Sequence, residues 1–152
     1  MMTSKKIQLQ IGDVVKINLG KGTYCFGRVL YEPLMVFYDM KTDTVPDIED
    51  IISSPILFKI WVMNHAVTSG HWEIIGSRPL EPDLEIAPKF FKQDPINKEF
   101  CLYYDGKEIP ATREECEGLE RAAVWEPSHV EDRLRDYYAG IPNQWVESLK
   151  PK

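Results

Sequence analysis

Three histidines and three cysteines are the side chains of this 152-residue chain best suited to acid–base, nucleophilic or metal chemistry. Histidine alone titrates near neutrality without help from its surroundings. His65 and His71 stand six positions apart on either side of an expected turn, with Lys59 or Lys89 as candidate partners. Such a pair would suit a metal-independent hydrolase or nuclease, provided that both rings shared one strand face and lined a cleft. The pattern instead puts His71 beside Trp72 in a half-exposed strand and His129 on the surface after a helix cap. No further His or Cys follows at a metal-ligand interval, so no metal site is expected. Cys25, Cys101 and Cys116 are odd in number and form no CxxC pair, which suggests no disulfide framework and no zinc site. Cys25 and Cys101 fall in apolar strands, where desolvation disfavours the thiolate that a nucleophile requires. Gly20-Lys21-Gly22 and Gly27 do not lead into a helix N-terminus and form no phosphate cradle. The reading is of a non-enzymatic protein with no catalytic residues, metal or cofactor.

Charge gives a more positive indication. The formal net charge of −6 argues against nucleic acid and against an anionic membrane, and allows a basic partner. Between Asp105 and Asp136 ten carboxylates stand against five basic residues. They form either a solvated helical face with pairs such as Glu131 and Arg135, or an acidic docking surface that steers a basic protein. For the second role the candidates are Glu114, Glu115, Glu117, Glu131, Asp132 and Asp136, with Trp125 or Tyr138 as aromatic anchors. Asp39, Asp43, Asp47, Glu49 and Asp50 make a second acidic stretch and an alternative interface. Tyr24, Tyr31, Phe37, Tyr38, Trp61 and Trp72 either pack a core or line the mouth of a small barrel.

These residues need a frame. One domain is expected over 1–152, with a β-rich body at 11–110 and a helical part at 111–150. Val15, Ile17 and Leu19 alternate with polar residues, the glycines at 20 and 22 turn the chain, and Tyr24, Phe26 and Val29 resume the rhythm, which predicts a hairpin. Leu34 to Tyr38 reads as a buried strand, 41–50 as a loop, and 56–62 and 71–75 as two further strands. Four prolines between Ser77 and Asn97 predict an irregular crossing. Glu99 to Tyr104 and Lys107 to Ile109, joined by Asp105-Gly106, form a last strand pair that could close the sheet. Thr112 to Glu115 fits a capping box for a short helix. Ser128 to Glu131 repeats it before an amphipathic helix at 129–139, stopped by Gly140 and packed on the barrel through Trp125 and Trp145. The fold class is α+β, mostly β: a small, strongly bent SH3-like sheet or barrel of about five to seven strands with one or two C-terminal helices. Met1 to Gln10 is polar without an apolar stretch behind it, and the expected location is the cytoplasm.

Gly12-Asp13, the Ile17-Asn18-Leu19 run, the glycine-bounded Tyr24 and Gly27-Arg28-Val29 resemble the immunity protein 26 family of bacterial polymorphic toxin systems. Trp72-Glu73-Ile74-Ile75-Gly76 with Pro79-Leu80, and the stretch from Glu120 to Leu134, look like its later blocks. The resemblance implies a small β-rich cytoplasmic protein, encoded beside a secreted or contact-delivered toxin as in contact-dependent growth inhibition. Such a protein binds the cognate toxin domain, encoded upstream, and neutralises it. The acidity suits a basic nuclease toxin whose active site would be occluded. The alternative is a non-enzymatic SH3-like module that takes a peptide or small ligand through Tyr24, Tyr38, Trp61 and the 39–50 loop.

Overall fold

The computed structural model describes residues 7–152. The polar N-terminal stretch therefore lies, up to residue 6, outside the described residues. The expected hairpin is present as β1 (Asp13–Gly20) and β2 (Thr23–Val29). Its turn runs through Gly20, Lys21 and Gly22, all with positive φ, which is why two glycines flank the lysine. β3 (Leu34–Tyr38) follows after a tight turn at Glu32-Pro33. The segment read as a loop from 41 to 50 holds the start of α1 (Ile48–Ile52), and Thr42 bridges back to Tyr24. β4 (Ile56–Val62), the one-turn α2 (His65–Thr68) and β5 (Glu73–Ser77) come next.

The proline-rich crossing is more ordered than its composition predicts. α3 (Pro82–Glu85) has its proline in the first turn, where the missing N–H removes no helical bond. The interval between Pro88 and Pro95 is long enough for β6 (Phe90–Gln93). β7 (Phe100–Tyr104) and β8 (Lys107–Ala111) form the expected second hairpin, with Asp105 and Gly106 at positive φ. α4 (Arg113–Cys116) carries the full Thr112–Glu115 capping box.

Two short strands, β9 (Glu120–Arg121) and β10 (Val124–Trp125), were not foreseen in a part of the chain read as helical. α5 (Pro127–Ala139) starts two residues before the expected boundary. Its cap is Glu126 with Pro127 behind it, so the Ser128–Glu131 capping box does not form. Gly140 ends it in the left-handed conformation, as expected. α6 (Gln144–Leu149), capped by the Asn143 side chain on the Val146 amide, was also missed.

The strands form two sheets, β10-β4-β3-β2-β1-β5 and β8-β7-β6-β9. Among the described residues the first keeps two free edges and closes no barrel, and the second hairpin builds its own sheet rather than closing the first. The reason lies in strands such as β3, whose five side chains are all buried. Such a strand needs cover on both faces, which an open, layered sheet provides. On one face Val15, Ile17, Met35, Phe37 and Ile60 pack with Trp72, Trp125 and the α5 residues Val130 and Leu134. On the other face Val14, Phe26, Val36 and Tyr38 meet Ile51 of α1, Leu84 of α3 and Phe90 of the second sheet. The alternation along each strand thus separates two cores, with period two.

The most recognisable residues of the opening belong to this frame. Asp13 is buried, and its Oδ2 accepts from the Gln10 amide at 2.8 Å. At Gly27 a Cβ would stand 3.1 Å from the Phe37 ring, so a strand must approach closely there. Arg28 is fully buried and reaches across to the crossing segment. Its Nη1 donates to Glu81 Oε2 at 2.7 Å, and its Nη2 donates to the carbonyls of Arg78 and Pro79 at 3.0 and 2.6 Å.

Candidate partner-binding surface

The residues with chemical potential are placed by the fold as structural ties. His71 lies outside the strand proper, its ring Nε2 2.7 Å from Glu131 Oε2. The same oxygen accepts from Trp72 Nε1 at 2.9 Å, so Glu131 fastens α5 to the start of β5. His65 sits exposed on α2, and His129 stacks on Trp145 at 3.6 Å. Among the described residues no three His, Cys, Asp or Glu side chains converge as metal ligands.

Burial pushes the Cys25 thiol up to about 12, leaving essentially no thiolate at neutral pH. Cys25 is therefore expected to resist iodoacetamide at about pH 8 in the native protein and to react once the protein is unfolded, a difference that intact mass spectrometry would measure. Modification of Cys25 in the native state would contradict that burial.

The sequence-derived acidic set is divided by the structure. Glu114, Glu115 and Glu117 are exposed on and just after α4. Glu115 is tied to the Thr112 amide at 3.0 Å, and Glu117 lies 3.5 Å from Arg113. Glu131 and Trp125 are interior, at 8% and 4% exposure, so neither is offered to a partner by this surface. Glu131 is drawn inward by the indole of Trp72, and Trp125 lies in the core between the sheet and α5. Asp132 accepts from Arg135 at 3.2 Å and from Trp145 Nε1 at 3.3 Å, while Asp136 accepts from Asn143 at 2.9 Å. These two acids join α5 to α6. The basic residues of α5 are also engaged: Arg133 forks onto Glu120 at 3.0 and 2.8 Å, and Arg135 donates to the Leu19 carbonyl at 2.9 Å.

The second acidic stretch meets the first at one point. Asp39 accepts from Tyr138 Oη at 2.9 Å and from Tyr137 Oη at 3.3 Å. Burial and the neighbouring Asp39 carboxylate hold the Tyr138 hydroxyl well above the usual phenol range, so it stays protonated and donating. Beyond this contact Asp43, Asp47, Glu49 and Asp50 are exposed, with Glu49 paired to Arg78 at 2.8 Å.

A further feature was only half visible in the sequence. Where the two sheets meet, a groove of about 510 Å³ is lined by Tyr31, Trp61, Phe90, Tyr103 and Tyr104. Glu32, Glu85 and Asp105 also line it. The Trp61 ring lies 4.8 Å from Phe90 and stands perpendicular to Tyr103 at 5.6 Å. Tyr31 and Trp61 belong to the aromatic set that the sequence offers for a barrel mouth. Tyr38 and Tyr24 do not join them, since Tyr38 is buried beside Arg28 and Tyr24 lies beneath Lys16. Phe90, Tyr103 and Tyr104 were missed because the second hairpin was expected to extend the same sheet rather than face it.

Neither curated proteins nor solved structures give a match to this chain. The family model described as Immunity protein 26 matches residues 10–102. The matched span takes in the hairpin, the glycine and arginine positions that fasten the crossing segment, and β3 to β6. It stops short of the Glu120 to Leu134 stretch in which a likeness had also been read. No helix among the described residues is long and apolar enough to cross a membrane. With three-fifths of its length inside that match, the chain belongs to the immunity protein 26 family.

Proposed function

We propose that the protein is a non-enzymatic, cytoplasmic inhibitor that binds a cognate cytotoxic domain and covers its active site. The family match carries this reading. The exposed carboxylates support a basic partner: Glu114, Glu115 and Glu117 at α4 and Asp43, Asp47 and Asp50 on the second stretch, with the half-buried Asp132 and Asp136 at the rim of α5. Surface charge of this kind accelerates encounter more than it tightens the final complex. A nuclease toxin is the favoured class, because its site is built positive to hold phosphate.

Calorimetric titration with the toxin domain encoded by the neighbouring gene, at about 50 and about 500 mM salt, tests the reading. Nanomolar binding that weakens at least about tenfold at high salt is expected, together with protection of cells expressing the toxin. Absence of binding at both salts would overturn it. The second reading, a module for a peptide or small ligand, is favoured by the aromatic groove alone.

A further inference from the structure

Among the described residues three carboxylates and no basic residue line the inter-sheet groove, together with five aromatic side chains. All three carboxylates are exposed at the mouth of the groove. Glu32 accepts from Asn64 Nδ2, whereas the exposed carboxylates of Glu85 and Asp105 have no hydrogen bond or ion pair among the described residues. The floor is apolar and packed: Phe90 and Leu34 are buried, and Trp61 is held between Phe90 and Tyr103. The walls come from two different sheets, with Tyr31 to Leu34 on one side and the Tyr103 to Gly106 turn on the other. Rings with a negative rim attract a cation through their quadrupole and through the carboxylates together. The rings of the same strand already do so within the chain, since Lys92 Nζ lies 4.2 Å from the Tyr103 centroid and Lys89 Nζ lies 5.2 Å from that of Tyr104.

We propose that this groove is a socket for one lysine or arginine side chain presented by the protein partner, with Trp61, Tyr31 and Tyr104 as the apolar walls and Glu32, Glu85 and Asp105 as the counter-charges. The inference rests on the reading that the protein acts by binding another protein, and it adds what that partner inserts. It places the anchoring contact at the junction of the sheets rather than on the α4 and α5 acids, which would then only steer. Trp, Tyr and Arg near the centre of an interface are the residues most enriched among those that carry its binding energy.

The test uses small probes and the whole chain. Lysine and arginine, each blocked as the Nα-acetyl methylamide, are titrated against the labelled protein by NMR, with the norleucine analogue as the neutral control. Saturable shifts of the Trp61 indole and the Tyr103 to Gly106 amides are expected for both cations, with Kd in the range of about 1 to 10 mM, and weaker than that by at least fivefold for norleucine. The triple variant Glu32→Gln, Glu85→Gln, Asp105→Asn removes the rim charge. Asparagine is chosen at 105 because that residue has φ 52, which asparagine tolerates. At least fivefold weaker cation binding by this variant is expected, with an unchanged unfolding midpoint as the check on folding. Equal shifts by norleucine, or no shifts with any probe, would overturn the socket. Calorimetry with the toxin domain separates the two readings. If the wild-type protein takes the lysine probe but no toxin, the inhibitor reading fails and the socket stands. If the triple variant binds the toxin as tightly as the wild type, the socket is not the docking point and the proposal fails.

Discussion

Alanine at position 12 is expected to lower stability by about 3 to 5 kcal/mol, a large part of the roughly 5 to 15 kcal/mol that holds a domain together. Gly12 has φ +95, where an L side chain is strained, and a Cβ there would stand 2.2 Å from the Arg78 carbonyl oxygen. The obstacle is backbone and has no rotamer with which to escape. It is also fixed from both sides, because the Gly12 amide donates to Val29 O at 2.8 Å and its carbonyl accepts from the Arg78 amide at 3.1 Å. Gly20→Ala supplies the comparison: its φ is +90, but nothing lies within 4 Å of an added Cβ. That variant should lose only about 1 kcal/mol. Urea unfolding of the two proteins measures both, and equal losses would show that the close approach to Arg78 does not matter.

Arg28→Met is expected to cost about 3 kcal/mol by the same measurement. A buried guanidinium carries a desolvation cost of its own, and an apolar replacement of similar length recovers some of it. The groups left behind decide the sign. The Arg78 and Pro79 carbonyls and the buried Tyr38 hydroxyl, 3.3 Å from Nη1, would all lose their donor. The Arg28 to Glu81 ion pair itself contributes less, because the Glu81 side chain is 46% exposed and screened by water. Glu81→Gln should therefore cost under about 1 kcal/mol. A Glu81→Gln loss as large as that of Arg28→Met would relocate the effect from the carbonyls to the ion pair. Limited proteolysis should cut the Arg28→Met protein first within residues 78–88, since that crossing segment is what the guanidinium holds.

Both predictions concern positions that the opening of the sequence made conspicuous, and both are interior. The hairpin, β3, β4 and the Asp105-Gly106 reversal were legible because strand period and turn chemistry are local signals. The helix before Gly140 was legible for the same reason, except at its start, where Pro127 outcompeted the Ser128 cap. β9 and β10 were not legible: two-residue strands exist only through their partners on β6 and β4, and nothing local announces them. The sequence leaves open a bent sheet or a barrel, because strand sequences do not state which layer covers which face. α6 had a signal, Asn143 directly after Pro142, and could have been found.

The candidate site shows the same division. The excess of carboxylates was visible, but the interior position of Glu131 depends on the indole of Trp72, 59 residues away in sequence. Composition counts charges and does not say which of them water sees. The groove required Tyr31 and Trp61 from one sheet to meet Phe90 and Tyr103 from the other, a contact that no single segment encodes.

The passage from β9 to β10 has a consequence for how the protein reaches this structure. Within six residues the chain pairs with the edge of one sheet at Glu120 and Arg121, and with the edge of the other at Val124 and Trp125, in parallel both times. Parallel pairs join segments distant along the chain, so this clasp can close only after β4 and β6 are in place. Without the clasp, β4 and β6 would each be an unpaired edge of its sheet. The clasp covers the β4 edge and the β6 edge from within the chain and leaves only two-residue strands at those borders, which offer little to pair with another copy.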